Sequence, residues 1–131
     1  MNIRAGKDVT LEWTILTDGQ EEPLSGRDLK LYMQTPDGRE EEIAKTADPT
    51  DATEARFSVS GTSILIYLYG KDLAVTGMYS LTLWENKGKR GQKAVDFLNA
   101  FRLVGNTGLE DDDTEGSNLQ EGAVEIGKSK L

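Results

Sequence analysis

The densest carboxylate run in the chain is EDDDTEGSNLQEG, residues 110–122, and its chemistry is that of a hard-cation ligand set. A calcium loop of the EF-hand type places oxygen ligands at positions 1, 3 and 5, a glycine at 6 and a bidentate glutamate at 12. Counted from Asp111, the first half fits, with Asp113, Glu115 and Gly116 in place. Position 12 then falls on Gly122, and Glu121 stands one residue early. A bidentate carboxylate displaced by one residue points elsewhere, so the cage stays open. The flanks VGNTGL and GAVEIG carry glycines where such a loop needs two helices. The run reads as a solvated acidic connector, and no metal is expected on it.

The only basic cluster is KGKRGQK, with Lys87, Lys89, Arg90 and Lys93. It lacks the spacing of a phosphate-binding Walker loop and the helix that must follow one. It also lacks the interleaved aromatics of a nucleic-acid groove. It reads as a solvated hairpin tip that can dock an acidic partner. REEE at 39–42 has the residue types of a glycosidase pair, but a small chain with shallow loops has little room for the cleft that chemistry needs. A wet strand edge is the plainer reading.

The chain has no cysteine and no histidine. Disulfides, thiolate nucleophiles, imidazole bases and Cys/His zinc sites are therefore excluded. A carboxylate pair, a lysine or a serine–lysine pair remain, and none stands in a recognisable motif. No catalytic residue and no cofactor is expected. Trp13, Trp84, Tyr32, Tyr67 and Tyr69 could line a sugar-binding face or a protein interface. Trp13 belongs instead to an inward stripe, where large aromatics fill a core.

These residues must be positioned by a chain of 131 residues, enough for one domain with its own core. The formal charge is -8, which argues against nucleic acid as a partner. Residues 105–131 hold 7 acidic and 2 basic side chains, so this short stretch carries most of the imbalance. The opening MNIRAGKDVT has no apolar h-region, and the longest apolar run, Ile64 to Tyr69, is too short to span a bilayer. A soluble chain without an export signal and without a membrane partner is expected.

Period-two alternation dominates the first 104 residues. In VTLEWTIL, Val9, Leu11, Trp13 and Ile15 share one face, and in DLKLYMQ so do Leu29, Leu31 and Met33. PDG at 36–38 is a turn, REEEIAK a returning edge strand and ADPTDAT a loop. ARFSVSG and SILIYLYG are strands, the second central. KDLAVTG forms a turn before MYSLTLWEN. ENKGKRGQK is a hairpin loop, and AVDFLNAFRLV closes the domain with Val95, Phe97, Phe101 and Leu103 inward. Seven or eight short strands at about ten-residue spacing, with no long helix, predict an antiparallel sandwich or small barrel with one wet face per sheet.

The stretch DLAVTGMYSLTL at 72–83 resembles the tyrosine corner of immunoglobulin-like sandwiches, with Leu81 where antibody domains have a cysteine. IRAGKDVTLEWTIL, the PLSG turn and GMYSLTLWE are together similar to the N-terminal Ig-like domains of phage baseplate upper proteins and tail-fibre attachment modules. The closing AFRLV and acidic tail resemble prophage structural proteins of gut Bacteroidales. The resemblance covers roughly residues 3–104. It implies an all-β, immunoglobulin-like antiparallel β-sandwich of seven or eight strands with a C-terminal extension. It also implies a non-enzymatic virion component made in the host cytoplasm, docking on other virion structural proteins. An Ig-like adhesin or carbohydrate-binding module is the alternative.

The organisation expected is a sandwich over 1–104 and an acidic tail over 105–131, disordered through 122 and ending in a short strand. Val124 and Ile126 are shaped to add to a sheet edge, and Asp111, Asp112 and Asp113 to approach a basic loop such as KGKRGQK. A homo-oligomer held by this arm is the expectation.

Overall fold

The computed structural model describes residues 1–48, 53–105 and 123–131. Alternation in VTLEWTIL becomes a strand, Val9–Leu16, in which every second side chain is buried and the others face water. The same rule builds most of the chain. The strands are β1 (Asn2–Arg4), β2 (Val9–Leu16), β3 (Leu29–Gln34), β4 (Glu40–Lys45), β5 (Arg56–Ser60), β6 (Ser63–Leu68), β7 (Gly77–Glu85), β8 (Lys93–Val104) and β9 (Val124–Lys130). One 3-10 turn, Gly70–Asp72, lies in the KDLAVTG segment.

The strands hydrogen-bond in the order β1-β8-β7-β3-β4-β5-β6-β2-β9. The expectation of an antiparallel sheet is corrected: β1 pairs with β8, β2 with β9 and β4 with β5 in parallel, so the sheet is mixed. Tight hairpin neighbours must run antiparallel; β1 and β8, and β2 and β9, are distant in the chain, and β4 and β5 are joined by a ten-residue connection, so no tight turn dictates the direction of these three pairs. Among the described residues there are nine strands: eight within residues 1–104, of which β1 is not read from the sequence, and β9 as the short strand expected at the end of the tail.

REEEIAK is not an edge. Its strand pairs through Leu31↔Ile43 to Gln34↔Glu40 with β3, while Ala44 and Lys45 pair with β5. The sheet turns over at this shared strand, so both halves bury their apolar faces in one core. Trp13, Tyr79, Phe57 and Phe101 are the largest side chains wholly inside it. Trp13 on β2 meets Phe97 on β8 edge-to-face, with centroids 5.7 Å apart at 83°. That geometry suits the quadrupoles of two rings and ties one half of the sheet to the other.

Two local features fix the shape. Gly70 packs so closely that a Cβ there would lie 2.5 Å from the carbonyl carbon of Gly6, which only glycine permits. In β8, Tyr79↔Phe101 and Leu81↔Phe97 show two extra residues bulged out against β7. Asn99 takes a left-handed φ of 54° in this bulge, and its N–H donates to Ser80 Oγ at 2.9 Å. Because two residues are inserted, Phe97 and Phe101 both still point inward, while Leu98 is pushed out to 70% exposure.

Candidate functional site

The β7–β8 hairpin carries the basic cluster, and its charges are partly engaged. Lys87 Nζ donates to Tyr32 Oη at 3.2 Å and sits 4.6 Å from the centroid of the Tyr32 ring and 5.4 Å from that of Trp84. A cation over two ring faces is held by their quadrupoles. Lys89 Nζ pairs with Asp28 at 2.7 Å. Arg90 and Lys93 are exposed. Tyr32 and Trp84 are half-buried on the wet face of β3 and β7, with Lys87 covering both.

Behind the loop, Arg27 ties two ends of the fold together. Its Nε and Nη2 donate to the two Glu85 carboxylate oxygens at 2.7 and 2.8 Å, and Nη1 donates to Thr17 Oγ1 at 2.6 Å. Both charged side chains are largely shielded, at 17% and 13% exposure. The hydrogen bonds from Arg27 hold the Glu85 carboxyl below the usual carboxylate range, and Glu85 in turn raises Arg27. This forked pair is structural in geometry: each of the three guanidinium nitrogens donates within the chain.

At the fold-over of β4, a cavity of about 270 Å³ is lined by Glu41, Glu42, Glu54, Arg56 and Asp72. Arg56 pairs with Glu54 at 3.2 Å, and Asp72 Oδ2 accepts the Ala55 N–H at 3.0 Å. Among the described residues, no group of three or more acidic side chains is placed to hold a metal ion.

The most specific binding geometry is at the β2 edge, where β9 lies in parallel. Leu11 pairs with Val124 and Glu12 with Glu125; after a one-residue shift, Trp13 pairs with Gly127 and Leu16 with Lys130. Val124 and Ile126 are half-buried against the core. Trp13 is wholly buried, and its indole N–H donates to Ser129 Oγ at 2.9 Å. A Cβ on Gly127 would lie 3.1 Å from the Phe97 ring, and the residue has φ near 144°. A hydroxyl that satisfies a buried donor and a glycine that fits under a ring make the β2 edge a selective slot.

The structure thus places Lys87, Lys89 and Arg90 in the β7–β8 turn with Lys93 at the start of β8, and Val124 and Ile126 on β9 at the β2 edge. Asp111, Asp112 and Asp113, and residues 49–52 of the ADPTDAT loop, lie outside the described residues. Gly127, Ser129 and the Arg27–Glu85 pair were not singled out from sequence. Arg27 and Glu85 are 58 positions apart, and Trp13 and Ser129 are 116 apart, so no local pattern signals either contact. The chain matches no protein-family model and no curated protein.

Proposed function

We propose that the chain is a non-enzymatic structural protein of a phage or prophage particle, an Ig-like β-sandwich that acts as a tail or baseplate adaptor through protein–protein contacts. The strand order supports the Ig-like assignment. The series β8-β7-β3-β4 and β5-β6-β2 follow the G-F-C-C′ and D-E-B sheets of such domains. Tyr79 near the start of β7 donates its hydroxyl to Val75 O at 2.5 Å, the tyrosine-corner bond of that architecture. The departure is beside β2, where these domains place their first strand and this chain places β9.

The observation that carries the adaptor reading is this strand addition at the β2 edge, since an added strand joins protein segments through backbone bonds and side-chain pockets. The partners are other virion structural proteins and further copies of the chain. Immunogold labelling of purified particles with an antibody to this chain tests the reading. Gold on the tail or baseplate is expected, and unlabelled intact particles would overturn it.

A second reading, an adhesin or carbohydrate-binding module, draws on Tyr32 and Trp84 side by side on a wet face. Lys87 lies over both rings, so a stacked sugar would have to displace it. Saturable binding on a glycan array, lost in Trp84→Ala, would favour this reading over the first.

A further inference from the structure

We propose that the β2 edge is an acceptor slot that takes the Val124–Lys130 strand of a second copy of the chain in the same register as its own, so that neighbouring copies are joined by strand exchange. The proposal deepens the adaptor reading and rests on it for the choice of partner.

Three observations carry it. First, residues 2–4 pair with β8 rather than β2, which leaves the β2 edge without a neighbour until residues 124–130 arrive. Second, the slot recognises side chains and not only backbone. Gly127 lies close under the Phe97 ring at a φ that favours glycine, Ser129 accepts from the Trp13 indole, and Val124 and Ile126 pack half-buried against the core. An identical strand from a second copy brings the same groups in the same register.

Third, the connection is longer than closure within one copy demands. The Ala5 N–H donates to Val104 O, and Leu11 pairs with Val124, so both ends of the connection lie close to the segment from Ala5 to Leu11. Six extended steps and two strand spacings put those ends no more than roughly 30 Å apart. The chain from Val104 to Val124 can span about 70 Å at full extension. A domain of this length has a radius of gyration of about 14 Å, so the slot of an adjacent copy is within that reach.

Tethering sets the conditions. A peptide link of this length gives the strand an effective concentration on the order of millimolar at its own slot. Closure within one copy therefore dominates in dilute solution. Exchange becomes competitive where copies are packed side by side, as in an assembly.

The absence of native cysteines makes the test direct. Glu12 and Glu125 are register partners across β2 and β9. A chain carrying both Glu12→Cys and Glu125→Cys should cross-link within itself, confirming the strand's place. Two single variants, Glu12→Cys and Glu125→Cys, are then mixed, unfolded in urea and refolded together over a range of concentrations up to millimolar. Exchange predicts a disulfide-linked heterodimer on a non-reducing gel whose yield rises with concentration. Adding Gly127→Val to the Glu125→Cys chain should reduce that yield at least tenfold, because the new side chain meets the Phe97 ring. Internal cross-linking of the double variant without any heterodimer at any concentration would overturn exchange. Failure of both cross-links would overturn the slot itself. Neither result depends on particle labelling, so the adaptor reading and the exchange can fail separately.

Discussion

Replacing Ser129 by alanine removes the acceptor of the Trp13 indole N–H and almost nothing else. Trp13 is wholly buried and Ser129 half-buried, so losing the hydroxyl takes away the indole N–H's acceptor within the chain. A buried donor left without a partner costs about 1–3 kcal/mol. The 2.9 Å bond spans 116 positions, so the loss falls on the contact that fastens β9 to β2. Trp13→Phe removes the donor itself and costs less than the about 3–5 kcal/mol of truncating a buried aromatic to alanine. In that background Ser129→Ala has no donor to orphan and should be nearly neutral.

The four proteins form a double-mutant cycle with an expected coupling of about 1 kcal/mol. Urea unfolding followed by far-ultraviolet circular dichroism reads it without relying on the tryptophan that is changed. With a slope of about 1–3 kcal/mol per molar urea, 1 kcal/mol moves the midpoint by roughly 0.3–1 M. If Ser129→Ala costs the same with and without Trp13, the bond contributes nothing, and the claim that β9 completes the core at Trp13 fails.

Because the hydrogen bonds from Arg27 depress Glu85, the pair's contribution is present above the ordinary carboxylate range and is lost as pH falls through it. Wild type should therefore lose stability more steeply than Glu85→Gln between about pH 5 and 3, read as urea midpoints. Tyr79→Phe keeps the ring stacked on Phe101 but strands the Val75 carbonyl, and should cost about 1 kcal/mol in the same assay. Gly70→Ala should cost at least about 1–3 kcal/mol, because its Cβ meets backbone atoms of Gly6 and Lys7 that cannot swing aside. Calorimetric titration with calcium should show no site tighter than millimolar; a micromolar site abolished by Asp111→Ala would refute the reading of EDDDTEGSNLQEG.

Sequence reports which face of a strand is wet, because the alternation of Val9, Leu11, Trp13 and Ile15 is local and the core imposes it. The inward assignments of β2 and β3 follow from that rule alone. It does not report which strand lies alongside. REEEIAK reads as an edge because Glu40 and Glu42 face water, yet Ile43 and the last two residues are claimed by β3 and β5. The parallel pairings are silent for the same reason. Nor does alternation reveal Gly127. A glycine in VEIGKSK reads as a break in the strand, and its purpose appears only once Phe97, thirty positions earlier, stands above it.

The placement of charge follows from the same topology. Lys93 opens β8 beside the basic loop, and Val104 closes it at the other rim, where the connection to β9 begins. Along β7, the pairs Gly77↔Leu103 and Glu85↔Lys93 set these rims roughly 27 Å apart, at about 3.4 Å per step. Lys87, Lys89 and Arg90 lie in the turn beyond Glu85, farther still from Val104. Seven steps of chain from Val104 to Asp111 span at most about 25 Å. Asp111 therefore meets its own copy's basic loop only at the limit of extension, while Glu115, eleven steps from Val104, has about 40 Å of chain to reach it. The β2 edge meets its strand through Gly127 and Ser129, while on the β7–β8 hairpin Lys87 and Lys89 are engaged within the chain and Arg90 and Lys93 stay exposed.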